Sequence, residues 1–333
     1  KNVLNVNIDY IIILAFLAFY FVLGAINSDL ISAITYFRVY FGFFMAVILS
    51  HYCNVRDLSN FCFALLVIYL IFWTLQSVPN FWQFLEIDRF FDIKYGLGHS
   101  KQDYLADVDT VFFGFRIVRF LGLELHPISA GYSLLFLYAG TSINNLRLAW
   151  MLAPVVMVAV FFSSKGALAG MFLIIAIQIV VQLKLGVFLK YLIVISYGIV
   201  LIALSTIPGL SSGYSHFLGL LGGINQMIDT IVGNGIGYGG TQSSVNGFVY
   251  GSESGLGFIL SHMGGFGAAI YLIVFFSTFR NLISKTSSRL IAMKTIAIAT
   301  LLNGVLQEEA FFFATAFPIF LLYYTLPKGV HIK

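Results

Sequence analysis

Charge is what this chain has least of. Of 333 residues, only 10% are Asp, Glu, Lys or Arg, against roughly 25% in soluble domains. With 59% hydrophobic residues and a mean hydropathy of +0.94, a water-soluble globule is excluded. So is a nucleic-acid partner, which would need a basic surface. Cysteine is nearly absent: Cys53 and Cys62 are the two, and they read as small buried hydrophobes, not a disulfide framework. There is no Walker sequence, no Ser–His–Asp grouping and no metal-ligand cluster, so neither metal nor cofactor is expected. Asp107-Val108-Asp109 is a lone DxD, a spacing common by chance. No internal repeat, low-complexity tail or cleavable signal peptide is visible. A chain that opens on Lys1 and not Met is expected to lack preceding residues, and its first apolar run can serve as the insertion signal.

What is present is long apolar runs. A span needs about 20 mostly apolar residues. Continuous runs mean helices, because a barrel would alternate over about 10 residues. Ten spans are expected: Tyr10–Ala25, Leu30–Leu49, Leu58–Ser77, Ile128–Thr141, Leu148–Phe162, Ala167–Val181, Val187–Leu204, Leu256–Phe279, Leu290–Val305 and Phe311–Tyr324. The fold expectation is therefore an all-α integral membrane protein of about ten transmembrane helices, a single polytopic domain over 1–333. Two long polar segments, 78–127 and 205–255, interrupt it.

The few charges are sorted by side. With a cytoplasmic N-terminus, the inner segments hold eleven basic residues and only Asp9 and Asp57 as acids, while the outer ones hold six basic and twelve acidic residues. Cytoplasmic loops carry the Lys/Arg excess, so both long segments are expected outside.

Those segments carry the residues suited to chemistry. Arg116 and Arg119 are spaced i, i+3, as on one helix face, and two guanidinium forks suit a diphosphate; snorkelling or pairing with Glu124 is the plainer alternative. Lys165 sits in the hairpin Ser163-Ser164-Lys165-Gly166. A cation at a helix N-terminus opposes the dipole, so a bound anion, or Glu308 or Glu309, is expected to compensate it. His126-Pro127 opens a span: His126 reads as a general base, a phosphate contact or a cap. Glu253 opens another and reads as a base or a cap, with Glu308-Glu309 as a rival base. Arg38, inside the second span, is expected to face the interior beside a carboxylate. The run Gly233-Asn234-Gly235-Ile236-Gly237 reads either as a flexible loop or as a turn offering backbone N–H groups to an anion.

Three stretches in order resemble the bacterial O-antigen polymerase and ligase superfamily. They are Arg119-Phe-Leu-Gly122-Leu-Glu-Leu-His126-Pro127, the hairpin Ser163–Gly166, and Gly233-Asn-Gly235-Ile-Gly237 followed by Glu253-Ser-Gly255-Leu-Gly257. The resemblance covers roughly residues 110–325. It implies a GT-C-like bundle in a bacterial inner membrane, acting as a metal-independent, inverting glycosyltransferase without a cofactor. The donor would be a glycan on undecaprenyl diphosphate, and the acceptor another lipid-linked repeat unit at the periplasmic face. Arg116, Arg119 and Lys165 would hold the diphosphate; Glu253, His126 and His216 are the catalytic candidates. Membrane lipid and a chain-length regulator protein are the expected partners. A ligase-type His about nine residues before Glu253 is missing, its place taken by Ser244 or Val245, which favours polymerase over ligase. The ligase, and a transporter of lipid-linked oligosaccharide, are the alternatives.

Overall fold

The computed structural model describes residues 8–76, 109–112, 115–120, 122, 126–207, 213–283 and 288–325. Eleven helices carry the described fold: α1 Ile8–Asn27, α2 Leu30–Leu49, α3 Val55–Gln76, α4 Pro127–Asn144, α5 Leu146–Phe161, α6 Lys165–Gln182, α7 Val187–Ser205, α8 Gly213–Asp229, α9 Gly255–Ile283, α10 Ser288–Leu306 and α11 Phe313–Thr325. Each of the ten expected apolar runs falls on a helix. Six helices are long and apolar enough to cross a membrane, and Ile11–Asn27, Leu146–Phe161 and Thr315–Thr325 are apolar but shorter. The chain is a helical, multi-pass membrane protein.

Helix starts follow local capping chemistry. Asp29, His126, Asn145 and Ser164 each accept a backbone N–H three residues on, opening α2, α4, α5 and α6; this satisfies donors that no helix turn can reach. Pro127 takes the first position of α4, where its missing N–H does no harm. Asn145 alone joins α4 to α5.

The centre of the bundle is α4, which packs on α3, α5, α6, α10 and α11. Fourteen of its eighteen residues are buried. Burial and hydropathy run opposite ways among the spans. Among the six helices of membrane-spanning length, α7 is the most apolar and the least buried, whereas α10 is the least apolar and the most buried. A helix enclosed by protein meets polar partners, whereas one facing lipid tails has none.

Three expectations fail here. The segment 205–255 is not simply a loop, because it contains α8. Gly219, Gly222 and Gly223 share one face of that helix and are buried. A Cβ on Gly222 would lie 1.8 Å from the Phe248 carbonyl oxygen, so this stripe lets α8 sit directly on backbone. The fold is all-helical apart from one small two-stranded antiparallel hairpin, β1 Asp109–Phe112 with β2 Phe115–Val118, in which Val111 pairs with Arg116. Arg116 therefore lies in a strand, and it shares no helix face with Arg119. Arg38, finally, is exposed: Tyr36 and Val39 take the inward positions of α2.

Candidate functional site

The helix ends at Asp29, His126, Ser164, Gly255 and Leu306 meet at one end of the bundle. There the segment 230–254 folds down among the helices. Its glycine run does the wedging. The helix α9 breaks at Gly264, whose φ of 55° and ψ of −135° leave the helical region. The Ser261 and His262 carbonyls, freed from their own helix, accept N–H bonds from Asn234 at 3.0 Å and Gly235 at 2.8 Å, while the Gly265 N–H donates to Ile231 O at 2.8 Å. On the other flank, the Ile236 N–H donates to Tyr20 O at 2.8 Å. The Gly237 N–H reaches the buried ring of His262. A Cβ on Gly235 would lie 2.1 Å from the Gly24 nitrogen.

This overturns both readings of Gly233–Gly237. The segment is not a flexible loop, and its N–H groups offer nothing to an anion, because the protein itself uses them. Its glycines are there for close backbone approach and positive φ, 98° at Gly235.

Above this wedge lies a carboxylate hub, Glu308, in the short 3-10 turn Glu308–Phe311 between α10 and α11. Its side chain is 0% exposed. It accepts from the Tyr36 hydroxyl of α2, from Thr241 Oγ1 at 2.6 Å, from the Thr241 N–H at 3.0 Å and from the Glu253 N–H at 3.2 Å. In return its own N–H donates to Glu253 O at 3.2 Å. Burial pushes the Glu308 carboxyl up to about 7, against the opposing pull of the Thr241 and Tyr36 hydrogen bonds. Burial likewise raises Glu309 to about 7, with the Glu253 charge adding to it.

Glu253 is held with φ at 72°, a left-handed conformation uncommon outside glycine. Its carbonyl oxygen accepts from His216 Nδ1 at 2.7 Å, and its carboxylate Oε2 lies 3.4 Å from the same nitrogen. A carbonyl can only accept, so Nδ1 of His216 carries a proton and Nε2 is the basic nitrogen of the neutral ring. Glu253 and His216 thus form a carboxylate–imidazole pair, with α8 supplying the histidine.

The opposite wall of this end is the hairpin between α5 and α6. Arg119 donates to Ser163 O from Nε at 3.1 Å and from Nη2 at 2.9 Å. The Phe120 N–H donates to Phe162 O at 2.8 Å. Part of the Arg119 fork is therefore used to pin the hairpin that presents Lys165, and Lys165 itself is exposed. Asn303 Nδ2 donates to Gly166 O at 3.1 Å, and Tyr132 donates to Gln307 Oε1 at 3.1 Å. His126 acts as the cap of α4: its Nδ1 accepts from the Ser129 N–H at 3.4 Å. An accepting Nδ1 puts the ring proton on Nε2, which suits contact with an anion better than proton abstraction.

The structure therefore brings Arg119 to the Lys165 hairpin, and Glu253 to His216. The turn Gln307–Glu308 adjoins both groups. Arg116 is placed as a β2 residue by backbone register; its side chain, Glu124 and Asp107 lie outside the described residues. Among the described residues, no cluster of three or more His, Cys, Asp or Glu could hold a metal. Glu308 is the residue sequence reasoning underrated. The signal was there, since two adjacent acids between apolar runs are expensive unless they are bonded. No family model, curated protein or solved structure matches this chain.

Proposed function

We propose that this protein is a polysaccharide repeat-unit polymerase, an inverting glycosyltransferase of ten spans with its N-terminus in the cytoplasm. Both long segments then face the periplasm, in a GT-C-like arrangement within a bacterial inner membrane. The observation that carries this reading is the short turn Gln307–Glu308. It touches the hairpin of the cation Lys165 on one side, where Gln307 Oε1 crowds Gly166, and Glu253 on the other. Cations for a leaving diphosphate and a base pair for an incoming hydroxyl are thereby gathered at one end of an apolar bundle.

In the reaction, a sugar hydroxyl of one lipid-linked unit gives its proton to His216 Nε2, while Glu253 orients the ring. The hydroxyl oxygen attacks the anomeric carbon of the second glycan. The bond from that carbon to the diphosphate oxygen breaks with inversion, and undecaprenyl diphosphate leaves. Negative charge grows on the leaving group, so fixed cations near it lower the barrier. Lys165 fills that role, helped by Arg116 and by Arg119, which also holds the hairpin. The ring proton on Nε2 of His126 supplies a further phosphate contact. Polar residues at a bundle end, next to lipid-facing apolar helices, suit a substrate with a wet headgroup and a polyprenyl tail.

The test is genetic and chemical together. Cells lacking the protein should accumulate single-repeat glycolipid and no long chains. Long polymer left on the lipid carrier in such cells would point to the ligase instead, and unchanged polymer would refute both.

A further inference from the structure

One charge stands in the outer wall of the bundle, facing away from this site. Arg38 is the ninth of the twenty residues of α2, a helix long and apolar enough to cross a membrane. At 1.5 Å per residue its Cα lies about 12 Å from one end of the helix and about 16 Å from the other. Two residues earlier, Tyr36 is buried and donates to Glu308. Two residues turn the helix by about 200°, so Arg38 points out of the bundle, and it is exposed. The stripe around it is apolar. Ile34 is 54% exposed one turn nearer the start of α2, and Ile31 is 77% exposed beyond it. Phe41 and Met45, both half-buried, continue the stripe on the other side. To snorkel to the nearer headgroups, the guanidinium would have to pass both isoleucines, over about 10 Å of helix.

Among the described residues, no hydrogen bond or ion pair holds Arg38, and the helices around it offer no acid at its depth. Within α2 there is none. Its cap, Asp29, already accepts from the Ser32 N–H and hydroxyl. The helix α1 packs beside α2, with Phe21 edge-on to Phe37 at 5.2 Å between ring centroids. The single acid of α1 is Asp9, twelve residues and about 18 Å back from that contact. The third neighbour, α11, packs on α2 and has no acid either. An arginine in the middle of a span costs about 2.5–3.5 kcal/mol on insertion scales. A charge kept at that cost, on the lipid side and without an internal partner, calls for one from outside.

We propose that the outward face of α2 docks a transmembrane helix of a partner protein, one that carries an Asp or Glu opposite Arg38. Ile31, Ile34, Arg38, Phe41 and Met45 follow one another in steps of three and four, the spacing of a seam between two packed helices. Met45 is unbranched and adapts its shape to a neighbour. A carboxylate brought alongside can take two parallel bonds from the guanidinium, and lipid tails compete for neither charge. A second copy of this chain fits poorly, because a twofold contact through α2 sets cation against cation. A phospholipid has the right charge, but its phosphate belongs at headgroup level, beyond Ile31. This docking face does not depend on the glycosyl-transfer reading.

Two experiments test this. In native membranes, the full-length chain with a photo-reactive phenylalanine in place of Ile34 should cross-link to a membrane protein whose spanning helix holds Asp or Glu near its middle. The yield should fall severalfold with Arg38→Leu and survive Arg38→Lys, and the same probe in place of Phe188, 77% exposed on α7, should not capture that protein. Capture of a second copy or of lipid alone, or a yield that Arg38→Leu leaves unchanged, would overturn the proposal. Arg38→Leu takes a charge off an apolar face, so it should fold, and its melt in detergent checks that. The second experiment uses purified protein in phosphatidylcholine liposomes, with labelled Leu–Ala helical peptides carrying Glu or Leu at the centre. Energy transfer should show the Glu peptide bound roughly three- to fifteenfold tighter, the range that polar contacts between helices reach in membranes. Equal binding of the two peptides, or a preference that survives Arg38→Leu, would overturn the proposal. So would loss of the preference when phosphatidylglycerol is added, which would assign Arg38 to a lipid phosphate.

Discussion

Two segments at the same end of this molecule invite the same guess from sequence and turn out to do opposite work. Ser163–Gly166 is a tight hairpin of small residues around one lysine. Gly233–Gly240 is a longer run of glycines. Either could cradle an anion. In the hairpin, Lys165 projects to the exterior while Arg119 and Asn303 fix the backbone beneath it. In the glycine run, the N–H groups of Asn234, Gly235 and Ile236 are all bonded to carbonyls of α9 and α1. What separates the two is whether neighbouring helices already supply the partners. A broken helix such as α9 offers loose carbonyls, and an adjacent glycine segment will take them before any ligand does.

The sharpest way to break this contrast is a methyl group. Gly24→Ala sets a Cβ 1.8 Å from the Ile236 carbonyl oxygen. Overpacking usually costs about 1–3 kcal/mol, and a clash with backbone cannot relax by a rotamer change. Thermal melts in detergent should show a large loss of stability, or no folded protein. A wild-type melt for Gly24→Ala would mean the glycine run is not wedged there.

The next largest effect is expected at the hub. Glu308→Ala leaves the Tyr36 and Thr241 hydroxyls and the Thr241 N–H without their acceptor. Each buried group left unsatisfied costs about 1–3 kcal/mol, so the melting temperature should fall by many degrees, with Glu308→Gln milder. The same pair of carboxyls sets a pH dependence. Glu308 and Glu309 are both raised to about 7 in the fold from about 4.3 in an unfolded chain. The folded state therefore binds more protons between those values. Their contribution to stability is complete below about 4.3 and is lost as pH rises through about 7. The groups that face them are Glu253, Thr241 and Tyr36. A melt series across that range should decline, and Glu308→Gln should flatten part of the decline; a rise with pH would contradict the burial argument.

Smallest of all, for stability, is Lys165→Ala. An exposed side chain removed from a pinned hairpin should change stability by less than about 0.5 kcal/mol. A melt well below wild type would show that the lysine holds the hairpin together and does not serve a ligand.

Much of this architecture could be read from the chain. The long apolar runs sit on helices, six of them long and apolar enough to cross a membrane, because a helix satisfies its own backbone where lipid cannot. The caps Asp29, Asn145 and Ser164 and the Pro127 start obey local rules. The pairing of Glu253 with His216 could not be read, because it depends on α8, and α8 was hidden by its glycines. Gly219, Gly222 and Gly223 stand at helical spacing, yet glycine is a poor helix former, so the stretch looks like loop. Only the backbone of Phe248 and Ser252 lying against that stripe explains the choice. Arg38 failed for a related reason. Which face of α2 looks inward is set by Tyr36 reaching Glu308, some 270 positions away in sequence, and no local pattern encodes that contact. The arginines of 116–119 misled because an i, i+3 spacing carries meaning only once a helix is known to be there.

The most direct measurement is turnover by purified protein given a repeat unit on undecaprenyl diphosphate, comparing wild type with Lys165→Ala at equal folded concentration. The account predicts that wild type makes longer glycan and releases undecaprenyl diphosphate in step, and that the variant is slower by about 10²–10³, the loss typical of one charge-stabilising group. Equal turnover by the two proteins, or wild type that forms no glycosidic bond, would contradict it.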